Sequence, residues 1–143
     1  MSKNVTSIPL SRKLITTLIK KGTAVTEAIS LNLKEHGITL QQFNVLRILR
    51  GRKGKVASLQ DVSKNMIHAN SNTTRVIDKL VDKKLVGRVQ CPTDRRQIEL
   101  TITDKGLKLL AILDKKVDDA EASLTENLNE TEMSLLIHNL DKI

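Results

Sequence analysis

Aromatic side chains are almost missing from this chain: Phe43 stands alone, with no Trp and no Tyr. Proteins that hold single-stranded nucleic acid stack its bases on aromatic platforms, so that class of function is disfavoured. Cysteine is as scarce. Cys91 is the only one, which excludes an intrachain disulfide and any cysteine-cluster metal site. No apolar run approaches the ~18–20 residues that span a bilayer, and no signal-like segment precedes the first helical stretch. These absences point to a cytoplasmic protein with no membrane partner. His36, His68 and His138 are scattered, and neither H-E-x-x-H, G-x-S-x-G nor a phosphate-cradling glycine loop occurs. "GRKGK" at 51–55 lacks the phosphate-loop spacing. Neither an enzyme nor a cofactor is expected.

What the chain does have is positive charge, placed unevenly. Its 143 residues suit one domain with one core, and the formal net charge is +8. Residues 41–100 hold 13 Lys and Arg against 5 Asp and Glu, and the remainder holds 11 of each. The whole excess lies in the middle, which calls for an anionic partner there and none at the ends.

Periodicity divides the chain. From Ser11 to Lys34, Leu14, Leu18, Val25, Ile29 and Leu33, with Ile15 and Ile19 alongside, recur at helical spacing. Pro9 suits the first turn, Gly22 is a candidate break, and Gly37 suits the residue after a helix end. Thr39 and Gln42 form a capping box for a second helix with Phe43, Val45, Leu46 and Leu49 inward. Ser58 and Asp61 open a short helix through Val62 and Met66. Beyond the polar "HANSNTT", Val76, Ile77, Leu80 and Val81 mark a helix to about Lys84. "LVGRVQC" and "RQIELTIT", the latter alternating Ile98, Leu100 and Ile102 with polar residues, read as a β-hairpin around "PTD", with one face on the core. Thr103 and Asp104 cap a helix with Leu107, Leu110, Leu113, Val117, Ala120 and Leu124 on one stripe. A last helix starts at Asn129, with Glu132, and carries Met133, Leu136, Ile137 and Leu140.

The fold class is therefore mainly α with a small β-hairpin wing: a winged helix-turn-helix. A helix fits the DNA major groove and its first residues reach base edges. Asn70, Ser71, Asn72, Thr73, Thr74 and Arg75 supply short hydrogen-bonding groups at such a start, although the same residues suit plain capping. Lys79 follows Arg75 at i, i+4, with Lys83 beyond it. Arg52, Lys53, Lys55 and Arg88 are candidates for phosphates. Arg47 and Arg50 suit phosphates or neighbouring acids equally. At the hairpin tip, Arg96 is expected to enter the minor groove, Asp94 to hold that arginine extended, and Arg95 to meet a phosphate. Cys91 beside these arginines is either a small hydrophobe or a redox-responsive thiol. An acidic protein docking on the basic middle is the rival to DNA.

Four stretches, "TLQQFNVLRIL", "SLQDVSKNM", "TTRVIDKLVDKKLVGR" and "DRRQIELTITDKG", together resemble the MarR family of winged-helix transcription regulators. The last is the most specific, an Asp-x-Arg followed by an alternating strand and then Thr and Gly at set distances, with Arg88 six residues before Asp94. The resemblance covers about half the chain. It implies a homodimer that reads a palindromic operator in double-stranded DNA, expected to be a repressor, and release by a small anionic aromatic effector, for which no residue here is diagnostic. It also implies dimerisation helices over about 9–36 and 104–143 around a DNA-binding part over about 39–103. Lys84 departs from the family's usual glycine, at a position where a left-handed backbone is often wanted: either it costs about 1 kcal/mol there, or the helix ends differently.

Overall fold

The structure, a computed structural model, describes residues 7–68 and 72–143. Helix α1 runs over Leu10–Lys34, α2 over Leu40–Gly51, α3 over Leu59–Asn65 and α4 over Thr73–Asp82. An antiparallel hairpin follows, β1 at Val86–Gln90 and β2 at Ile98–Ile102, then α5 at Asp104–Leu124 and α6 at Glu130–Leu140.

The helix starts are set by residues four apart or fewer. Thr39, Ser58 and Asn129 each accept the backbone N–H three residues on, while Gln42, Asp61 and Glu132 return a bond to the cap's own N–H. Each box satisfies two of the donors that a helix start leaves orphaned. Asn72 and Thr103 cap α4 and α5 by the one-way version, onto Arg75 and Gly106. Gly22 does not break α1, which is continuous for 25 residues. One mid-helix glycine costs only about 1 kcal/mol, less than interrupting two helical segments would. Met66 lies just outside α3, with an extended backbone, so this helix ends a residue earlier than its apolar spacing suggests.

Two helix ends are closed by the same device. After α1, Ile38 N–H donates to Leu33 O and Gly37 N–H to Lys34 O, with Gly37 at φ 66°. After α4, Leu85 N–H donates to Leu80 O and Lys84 N–H to Val81 O, with Lys84 at φ 61°. This is the paired-bond termination in which a left-handed residue frees the next amide to reach back. Lys84 therefore adopts the backbone that glycine fills without strain, the first of the two outcomes open to that position. Lys84→Gly should raise stability by about 0.5–1 kcal/mol, since the left-handed penalty removed exceeds the entropy that glycine adds to the unfolded chain. A urea midpoint that rises at unchanged slope would show it, and an unmoved midpoint would refute the strain.

One core joins these elements. Leu33, Leu46, Leu80, Leu100, Leu110, Leu113, Val45, Val62 and Val117 are almost fully buried, at about 1.5–3 kcal/mol each. Ala57 extends the hairpin to a third short rung by exchanging both backbone bonds with Leu100, at 2.9 and 2.8 Å. Of the alternating apolar residues on β2 only Leu100 is buried, and Ile98 is 41% exposed. The hairpin projects beyond the core, so its core-facing side is apolar only near its base. The first two-thirds of α1 and all of α6 also stand off the core. Leu14, Ile15, Leu18 and Ile19 on α1, and Leu135, Leu136 and Ile137 on α6, are exposed. Among the described residues, no helix is long and apolar enough to cross a membrane.

Candidate nucleic-acid interface

Helices α3 and α4 form the helix-turn-helix pair, and the hairpin flanks it. Asn70 and Ser71 lie outside the described residues. The others at the start of α4 divide. Thr73 is turned inward, only 7% exposed, with its hydroxyl 3.5 Å from that of Ser63 on α3. It packs against the other helix of the pair, whereas the sequence placed it with the outward hydrogen-bonding groups. Asn72 is exposed but its Oδ1 accepts the Arg75 N–H at 3.3 Å, so capping occupies at least that oxygen. Thr74, Arg75 and Lys79 point to solvent. Neither Arg75 nor Lys79 has an acidic partner among the described residues.

The third basic residue of that helix face does something else. Lys83 Nζ donates to Gly37 O and, at 3.2 Å, to Gln42 Oε1. It thus binds the end of α4 to the α1–α2 turn, and Lys105 Nζ in turn donates to Lys83 O at 3.0 Å. Arg88, expected at a phosphate, is paired with Asp78 on α4. That pair ties β1 to α4 and offsets both charges. Arg52 is half-spent: its guanidinium donates to Val56 O at 2.8 Å and lies 3.7 Å from Asp61. The Ser58 backbone N–H and hydroxyl, together with Arg52, hold the Asp61 carboxyl below its usual range. Lys53, at φ 53°, and Lys55 are exposed in the same loop without an acidic partner among the described residues.

At the wing tip the geometry departs from expectation in one respect. Asp94 Oδ1 accepts from the backbone N–H of Arg96 at 3.0 Å, and does not grip its guanidinium. Gln97 N–H donates to Asp94 O and Gln90 Nε2 to Arg95 O, at 3.0 and 2.7 Å. The carboxylate therefore shapes the turn, and the turn presents both arginine side chains outward, exposed. Cys91, just past the end of β1, is half-buried, its Sγ 3.3 Å from the Thr93 hydroxyl. A cleft of about 460 Å³ lies between the tip and the start of α3, lined by Ser58, Gln60, Ser63, Arg96 and Gln97.

The remaining arginines serve the frame. Arg47 lies 2.9 Å from Asp114 on α5 and 4.3 Å above the Phe43 ring, and Arg50 pairs with the other oxygen of Asp114. Partial burial raises the Asp114 pKa, but the bonds and charges of Arg50 and Arg47 outweigh it and hold the carboxyl below its usual range. Of the two roles open to Arg47 and Arg50, the pairing with acids is the one found. No local pattern pointed to Asp114, because the pairing joins helices more than sixty residues apart.

The family model described as MarR family matches residues 38–98. The HTH-type transcriptional regulator MhqR of Bacillus subtilis (strain 168) is 32% identical over 100 residues, which cover 70% of this chain and 68% of that one. Among solved structures, Bordetella bronchiseptica BpsR, described with regulation of its DNA binding by 6-hydroxynicotinic acid, superposes with a TM-score of 0.79 at 25% identity, covering 91% of this chain and 97% of that one. MarR from E. coli, a cysteine-to-serine mutant complexed with operator DNA, gives 0.75 at 28% identity, covering 94% and 93%.

Proposed function

This chain belongs to the MarR family of DNA-binding transcription regulators, and we propose that it acts as a homodimeric repressor on a palindromic operator. The observation that carries this reading is the separation of two unused surfaces. Apolar side chains are uncovered on α1 and α6, where Leu14, Leu18, Leu136 and Ile137 face solvent in the single chain. Cations without an acidic partner among the described residues gather on α4 and the hairpin, at Arg75, Lys79, Arg95 and Arg96. The first surface suits a second copy of the chain. The second suits DNA, with Thr74 and Arg75 in the major groove and Arg96 in the minor groove. Lys53 and Lys55 would meet phosphates outside these grooves.

An effector has a candidate seat between the two surfaces. Thr26, Ser30 and Lys34 of α1, Ile38 and Leu40 near the start of α2, and His68 line a cleft of about 350 Å³. Its size and its single lysine fit a small anionic compound, and the similarity to BpsR supports that class.

Selection of bound fragments from a random DNA pool tests the reading. We expect a palindrome with half-sites about one helical turn apart. Affinity for it should fall on the order of 10³-fold or more between 50 and 200 mM salt if six or more phosphates are contacted. Salt-sensitive binding with no preferred fragment would instead favour an acidic protein as the partner of the basic middle.

A further inference from the structure

The turn between α3 and α4 delivers the recognition helix, and its backbone is tethered by a side chain from a third helix. Ile67 is 74% exposed, yet its N–H donates to Asn44 Oδ1 on α2 at 2.8 Å. On one side of Ile67, Met66 is buried in the core. On the other, the chain leads within five residues to Asn72, the cap of α4. Asn44 sits one turn before Arg47, and Arg47 and Arg50 fix α2 to Asp114 of α5. Helix α2 therefore holds α5 through its two arginines and the turn through Asn44.

We propose that Asn44 is a positioning residue for operator reading, holding the turn so that Thr74 and Arg75 meet their bases in register. This rests on the reading that α4 enters the major groove. The bond contributes to placement more than to folding. Its acceptor is half-buried and its donor residue exposed, and alanine favours the helix at position 44 more than asparagine does. Removing the acceptor frees the Ile67 amide to find water, and α4 then samples orientations in which its base contacts are not made.

The readout is the ratio of two affinities: for the fragment that the wild-type protein selects, and for a random-sequence duplex of the same length. Random-duplex binding depends on phosphates and tolerates small tilts of α4, whereas base contacts do not. Asn44→Ala should reduce the ratio about tenfold, in line with the loss of one well-placed hydrogen bond. Asn44→Asp keeps an acceptor and should restore the ratio to within about twofold, because any repulsion from its charge weakens both affinities alike. Exchange of the Ile67 amide should quicken in the alanine variant and recover in the aspartate one. An unchanged ratio in Asn44→Ala overturns the proposal, as does an aspartate variant that stays as low as alanine. A wild-type ratio of one would instead remove α4 as a base reader, and with it the role given to Asn44.

Discussion

Gly106→Ala is expected to destabilise the protein by about 2–3 kcal/mol, lowering the melting temperature by roughly 4–12 °C. A Cβ at this position would lie 2.3 Å from Leu85 O and 2.8 Å from Ile102 Cγ1. The first of these is backbone and is already committed, since it accepts the Thr103 N–H at 3.0 Å. The methyl group has no flexible neighbour to displace. Either the start of α5 lifts from the base of the hairpin, or the hairpin shifts. The usual gain of replacing a helical glycine by alanine, about 1 kcal/mol, offsets only part of this cost. Gly51→Ala, where a Cβ would meet nothing within 4 Å, is the matched control and should be neutral or slightly stabilising. Thermal unfolding of both variants decides the matter, and equal melting temperatures would show that the close approach is relieved without cost.

Arg96→Ala should weaken binding to the selected operator by about 1–3 kcal/mol. The wing tip has a backbone fixed by Asp94, Gln90 and Gln97, and a side chain that is exposed. Such an arginine has only side-chain order left to lose on binding, and the enhanced negative potential of a narrow groove attracts its charge. Arg95→Ala is the informative companion. If Arg95 meets only a phosphate, its loss should weaken selected and random DNA alike and reduce the salt slope by about one. Fluorescence anisotropy titrations at several salt concentrations separate the two. Wild-type affinity in Arg96→Ala would remove the wing from the interface.

What could be read from the sequence follows the distance over which each feature is encoded. The capping boxes at Thr39, Ser58 and Asn129 are complete within four residues, and each stands where its sequence places it. The left-handed Lys84 was legible too, because the MarR resemblance marks that position as a glycine. The hairpin showed in its alternation, although alternation alone does not say how far the core extends beneath it, and Ile98 lies past its edge. Side-chain roles at the interface were less legible. Arg88 looks like a phosphate contact until α4 brings Asp78 beside it. Thr73 belongs by residue type with Thr74, yet helical geometry turns one toward Ser63 and the other to solvent. Asp94 has the right neighbours for a charge pair, but a short side chain in a tight turn reaches the closer backbone amide first. The frame of Asp114 with Arg47 and Arg50 depends entirely on how α2 and α5 pack.

The tie between Asp78 and Arg88 has a consequence for the genome as well as for the protein. With α4 and β1 joined by that pair and by a turn of only three residues, Lys83 to Leu85, the two elements proposed to read DNA keep a constant offset. A binding site can then drift letter by letter, losing one contact at a time. A base pair inserted between the tracts read by α4 and by the wing would put one of them out of phase entirely. Sites for this regulator are expected to diverge by substitution within each arm and to preserve the arm's length.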